Sequence, residues 1–220
     1  MVIPSSLDNL LNVITSEKSV VLKSVYTNFN IAFANWLNEK LATEGHGVCI
    51  DGDSQLLEFT QRMCRSSFVI CSSGAQFAVA IVLFKNIEEG LHVKANTTIH
   101  ILPHRALMQS TGETPLTYVV RRVSSNVYTI TRSSKSLAEN YIVRVFECTL
   151  SDYQLPREVV EIYTALREVV EIAGGSVKAH DFLKHLVKVK GLDREKALNA
   201  IRCAVQLKLV EYSNGYLTPL

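Results

Sequence analysis

The sequence predicts an α+β chain of two domains. Amino-terminal helices and a mainly antiparallel sheet fill residues 1–152, and a small helical domain closed by a hairpin fills 153–220. Three observations carry this. Large apolar side chains recur at helical spacing through residues 5–44. Between Phe68 and Thr149 strand-like runs follow one another with turn signals between them. From Pro156 the helical period returns, and it ends at Asn214-Gly215 between two short apolar runs.

The composition allows both cores. Hydrophobic residues make up 47% and charged residues 20%, a balance that excludes a disordered chain. The net charge of +2 argues for no partner by itself. No apolar run reaches the roughly 18 residues of a membrane span. The start lacks a basic region followed by a long apolar stretch, so no secretory signal is read. The five cysteines are scattered with no Cys-x-x-Cys, which suits buried or free thiols in a reducing cytoplasm better than a disulfide framework or a zinc site. No cofactor is expected.

In chain order, Leu7, Leu10, Leu11 and Ile14 mark one helical stretch of residues 5–44, and Phe29, Phe33, Trp36, Leu37 and Leu41 mark another that ends near Gly45. Gly47–Asp51 reads as a short strand, and Asp53-Ser54 can cap a helix running to about Arg65. Phe68–Cys71, Phe77–Phe84, His92–Ile101, Leu116–Val123, Val127–Arg132 and Tyr141–Thr149 read as strands. The wholly apolar Phe77–Phe84 requires burial on both faces. Ser151–Pro156 is the boundary. Pro156 opens a helix that Gly174-Gly175 ends. Within it Arg157–Ile162 recurs as Arg167–Ile172. Ten residues is not a helical repeat, so this is chance or a helix apolar on more than one side, able to bridge the domains or a dimer partner.

The last 65 residues or so carry the most concordant signals. Ala179, Phe182, Leu183, Leu186 and Val187 form one apolar stripe. Asp193 caps a further helix with Ala197, Leu198, Ile201, Ala204 and Val205 as its buried side. Leu209–Tyr212, the turn Ser213-Asn214-Gly215 and Tyr216–Thr218 form a hairpin. The order helix, short helix, turn, helix, hairpin resembles the winged-helix family. The resemblance implies a third helix laid in the DNA major groove and a wing touching the backbone or minor groove. The side of that helix opposite its apolar stripe presents Glu195, Lys196, Asn199, Arg202, Cys203 and Gln206. Asn, Gln and Arg can pair with base edges, whereas Glu195 repels phosphate.

Charge is segregated. Residues 152–171 hold two basic and five acidic side chains. Residues 176–210 hold eight basic, Lys188 and Lys190 among them, against three acidic. Such a basic segment suits phosphate contact. A second basic region spans 114–145, where Arg121, Arg122, Arg132, Lys135 and Arg144 stand against Glu139 and are interleaved with Tyr118, Tyr128 and Tyr141. That is the composition of a surface that stacks single-stranded bases. Its plainer reading is tyrosines in a core and arginines on a wet face.

Val48-Cys-Ile-Asp51-Gly-Asp53 is similar to the first motif of the haloacid-dehalogenase phosphohydrolases, and Phe68–Ser72 to their second. The similarity implies Asp51 as nucleophile and Asp53 as acid/base beside magnesium. No later acidic pair follows, and consecutive strands replace the expected βα units. His92, His100 and His104 make no metal set, and Ser72-Ser73 lacks the Gly-x-Ser-x-Gly setting of a nucleophile. The expectation is therefore a cytoplasmic, non-enzymatic nucleic-acid-binding protein, with DNA favoured over RNA, a homodimer possible and no membrane partner. An assembly subunit whose winged helix binds protein is the alternative, and the magnesium phosphohydrolase a minor one.

Overall fold

A computed structural model of the chain describes residues 5–52, 54–64, 69–72, 75–83, 94–103, 115–133 and 139–220. The chain divides into two compact units, Met1–Asp152 and Tyr153–Leu220.

The first unit opens with α1 (Leu7–Ser16). The Ser6 hydroxyl accepts from the Asn9 amide at 3.3 Å, and the Leu7 amide donates to the Asp152 carboxylate at 2.8 Å, so the last residue of the unit satisfies its first helix. Next comes β1 (Ser19–Lys23). Here the expectation of helix throughout 5–44 fails. Val20 and Val21 are β-branched, and Val20-Val21-Leu22 is buried on both faces. α2 (Thr27–Thr43), β2 (Val48–Gly52), α3 (Ser54–Cys64), β3 (Gln76–Leu83), β4 (Lys94–Leu102) and β5 (Leu116–Arg122) follow. Then come β6 (Val127–Arg132), β7 (Asn140–Phe146) and β8 (Thr149–Asp152).

All eight strands join one sheet in the order β2-β3-β4-β1-β5-β6-β7-β8. The pairs from β2 to β5 are parallel, and those from β5 to β8 antiparallel. The expected class, helices with a mainly antiparallel sheet followed by a winged-helix domain, is therefore corrected to a mixed α/β fold with a mostly parallel sheet. The physical reason is β1. It sits between β4 and β5, pairing Ser19 with Thr98 and Val20 with Leu116, contacts 79 and 96 residues apart in sequence. Misread as helix, it hides every parallel pairing on its two sides.

α1 and α2 pack with one face of the sheet. Leu10, Phe29, Phe33 and Leu37 meet Leu22, Ile50, Ile81, Ile99, Tyr118 and Tyr141 there. Full burial of each such side chain is worth about 1.5–3 kcal/mol. Cys49 and Cys71 are joined in a disulfide, as are Cys64 and Cys148. This corrects the expectation of free thiols. The partners are 22 and 84 residues apart, so no local spacing announces them. Cys203 is free.

The second unit contains α4 (Arg157–Ala173), β9 (Val177–Lys178), α5 (Ala179–Lys188), α6 (Arg194–Gln206), β10 (Val210–Ser213) and β11 (Tyr216–Pro219). Its antiparallel sheet has the order β10-β11-β9. α4 buries Val159, Ile162, Tyr163, Leu166 and Val170 and stops at Gly174, whose φ of 78° is left-handed. The ten-residue echo is explained by the helical period. A shift of ten residues rotates the second copy by about 80° around the axis. Ile162 is therefore buried, whereas its counterpart Ile172 is 89% exposed.

Candidate nucleic-acid interface

α6 is set by its amino end. The Asp193 carboxylate accepts from the amides of Glu195 and Lys196, both at 3.0 Å. Ala197, Ala200, Ile201 and Ala204 turn inward. Lys196, Asn199, Arg202 and Gln206 are consequently exposed, at spacings of three, three and four residues, a single row along one side of the helix. Glu195 is exposed in the first turn, where a negative charge suits the helix dipole. Cys203 is only half-exposed, and burial pushes its thiol pKa up. Lys188 and Lys190 are exposed at the end of α5 and just beyond it, and Lys190 pairs with Glu168 at 3.4 Å.

The fold makes a grouping that the sequence does not show. Lys184, Lys188 and His180 from α5 and Arg194 from α6 rim a shallow groove of about 250 Å³ whose floor is Leu183 and Val187. Lys184 and Arg194 add to the charge count along the chain, but only the packing of α5 with α6 brings them to one place. Among the described residues, Lys184, Lys188, Arg194, Lys196 and Arg202 have no carboxylate within 4.0 Å. Their charge is uncommitted. The hairpin is held beside these helices. Asn214 and Gly215 take φ of 52° and 83°, the left-handed pair a two-residue turn requires. The Ala179 amide donates to the Gly215 carbonyl at 2.9 Å, and Leu217 pairs with Val177.

The basic region of the first unit is arranged differently. Tyr118 and Tyr141 are fully buried and Tyr128 nearly so. The phenols of Tyr118 and Tyr141 donate to the Glu139 carboxylate at 3.2 and 3.3 Å, and Arg132 pairs with Glu139 at 3.2 Å. Burial, followed by the nearby Glu139 charge, pushes the Tyr141 pKa up to about 12. Burial, followed by the neighbouring Tyr141 and Glu139, raises that of Tyr118 further. Arg121 and Arg144 are exposed on the opposite sheet face from these tyrosines. Arg122 is exposed at the strand end and lies 5.8 Å over the Tyr26 ring. The structure thus corrects the stacking role expected of Tyr118 and Tyr128. Both rings are core, so neither is offered to a base beside Arg121 or Arg144.

Asp51 is buried at the end of β2. Asp53, His92, His104, Ser73 and Lys135 lie outside the described residues. His100, on β4, is 9% exposed, and burial lowers its pKa. Among the described residues no group of three or more His, Cys, Asp or Glu is placed to hold a metal ion, and no helix is long and apolar enough to cross a membrane. The chain matches no family model and no curated protein sequence.

Proposed function

We propose that the carboxyl-terminal unit binds duplex DNA through α6. One observation carries this reading: the exposed row Lys196, Asn199, Arg202 and Gln206, flanked by the uncommitted cations Lys184, Lys188 and Arg194. Asn199 and Gln206 each have a paired donor and acceptor and Arg202 has paired donors, the groups that read base edges, and the lysines supply phosphate contacts. A 13-residue helix is about 20 Å long and fits a major groove about 12 Å wide.

Fluorescence anisotropy with duplex and single-stranded oligonucleotides at two salt concentrations tests it. Duplex affinity falls steeply with salt, and Lys188→Ala lowers the salt slope by about one. Arg202→Ala weakens duplex binding about tenfold, in the range of ~1–3 kcal/mol for a base-edge contact. Arg121→Ala and Arg144→Ala leave it within about twofold. Binding that is indifferent to salt, or equal losses in all four variants, sinks the proposal. A second reading, a protein partner with an acidic apolar segment, is favoured by the apolar floor of Leu183 and Val187 between basic rims. Its signature is competition between such a peptide and DNA.

A further inference from the structure

The parallel strands of the first unit end on one edge of the sheet. In the strand order, the chain leaves β1 toward β2 and leaves β5 toward β6, in opposite directions. Open α/β sheets commonly bind ligands outside the carboxyl ends of their parallel strands. At this edge a cleft of about 250 Å³ lies among the start of α2, the outer side of α3, and the turns β5–β6 and β7–β8.

Its lining is largely apolar. Tyr128, Ile31 and Val145 form the inner wall. Phe59 and Met63, one turn apart on α3, line it while 47% and 59% exposed. Two apolar side chains left in water beside a concavity gain from a ligand that covers them. Asn28, Ser125, Asn126 and the Tyr128 phenol are uncharged hydrogen-bonding groups of the lining.

Among the described residues Glu147 is the one formally charged side chain lining the cleft. It holds a φ of 52° in the β7–β8 turn, a conformation that costs a non-glycine residue about 1–3 kcal/mol. The turn is pinned twice at Cys148. Cys148 is bonded to Cys64 at the end of α3, and the buried Asn35 amide donates to the Cys148 carbonyl at 2.9 Å. The carboxylate is thus presented from a fixed backbone.

We propose that this cleft binds a small arylalkylamine, a flat apolar ring carrying a short chain and an ammonium group. The ring packs against Tyr128, Phe59 and Met63, the ammonium pairs with Glu147, and Asn28 and Asn126 take polar edges. Among the described lining residues Glu147 carries the one charge, so an anionic ligand of the same shape is disfavoured; Arg122 stands behind Tyr128, with which it pairs across β5 and β6.

Isothermal titration of the full chain with phenethylamine, and with 3-phenylpropionate as the anionic counterpart, tests this. Saturable binding of the amine is expected, at least tenfold tighter than any binding of the acid. Glu147→Asn and Glu147→Gly remove the charge while accepting the left-handed backbone, so the fold is kept. Each weakens the amine about two- to fivefold, as loss of a solvent-exposed ion pair implies. Met63→Gln, on the exposed side of α3, weakens it a few-fold. No saturable amine binding, equal binding of amine and acid, or unchanged binding in both Glu147 variants overturns the proposal.

Discussion

The two units treat aromatic and cationic side chains in opposite ways. The first sinks Tyr118, Tyr128 and Tyr141 into its core and sends Arg121 and Arg144 out through the other sheet face. The second exposes Tyr212 and Tyr216 on its hairpin and keeps uncommitted cations along α5 and α6. Both segments are basic in composition. The lesson is that interleaved tyrosines and arginines do not make a nucleic-acid surface; the face on which they emerge does. In the first unit parity already separates them. Tyr118 and Arg121, like Tyr141 and Arg144, are an odd number of residues apart, which puts them on opposite sides of a strand.

The largest test of the contrast is covalent. Two disulfides cross-link the first unit, and the only free cysteine is in the second. Opening the 84-residue loop by Cys64→Ser with Cys148→Ser should cost about 4–5 kcal/mol on the loop-entropy account. Trp36, the single tryptophan and 3% exposed, reports it as a lower urea midpoint. A midpoint indifferent to the substitutions and to reductant would remove the cross-links as a distinction between the units.

Next comes tyrosine truncation. Tyr118→Ala empties a fully buried site and should cost about 3–5 kcal/mol. Tyr216→Ala, at a site 41% exposed, should stay within about 0.5 kcal/mol. Equal costs would mean that the hairpin tyrosine is core after all.

The smallest effect is acid sensitivity. Burial lowers the His100 pKa below its usual 6.5, so the folded state favours the neutral ring. Its contribution is complete above pH 6.5 and is lost as pH falls from there through the folded value. The slope is at most about 1.4 kcal/mol per pH unit. His100→Gln should flatten the stability profile below pH 6.5 by that much; an unchanged profile would place the acid response elsewhere.

Legibility in the sequence followed the distance over which contacts act. The stripes of α5 and α6, the Asp193 cap, the Gly174 stop and the Asn214-Gly215 turn are set within a few residues, and each stands where its residues put it. β9 is two residues long, too short for a period, and only pairing with β11 defines it. β8 was hidden because Glu147-Cys148 is a turn without glycine or proline inside an apparently continuous strand. β1 was hidden because Val20-Val21-Leu22 is short and lies between two true helices. The row on α6 was readable from 100° per residue; the grouping of Lys184 with Arg194, and the cleft closed by Cys148, needed the tertiary fold.

β1 also has a consequence for the order of synthesis. It is the second element made and the innermost in its half of the sheet, yet β4 arrives 79 residues later and β5 later still. At about 5–20 residues per second, a nascent chain carries this apolar segment without either strand neighbour for roughly 4–16 s. α1 and α2 are complete well before that and can shield it. The helices that become one layer of the finished unit would then serve first as the nascent strand's temporary cover.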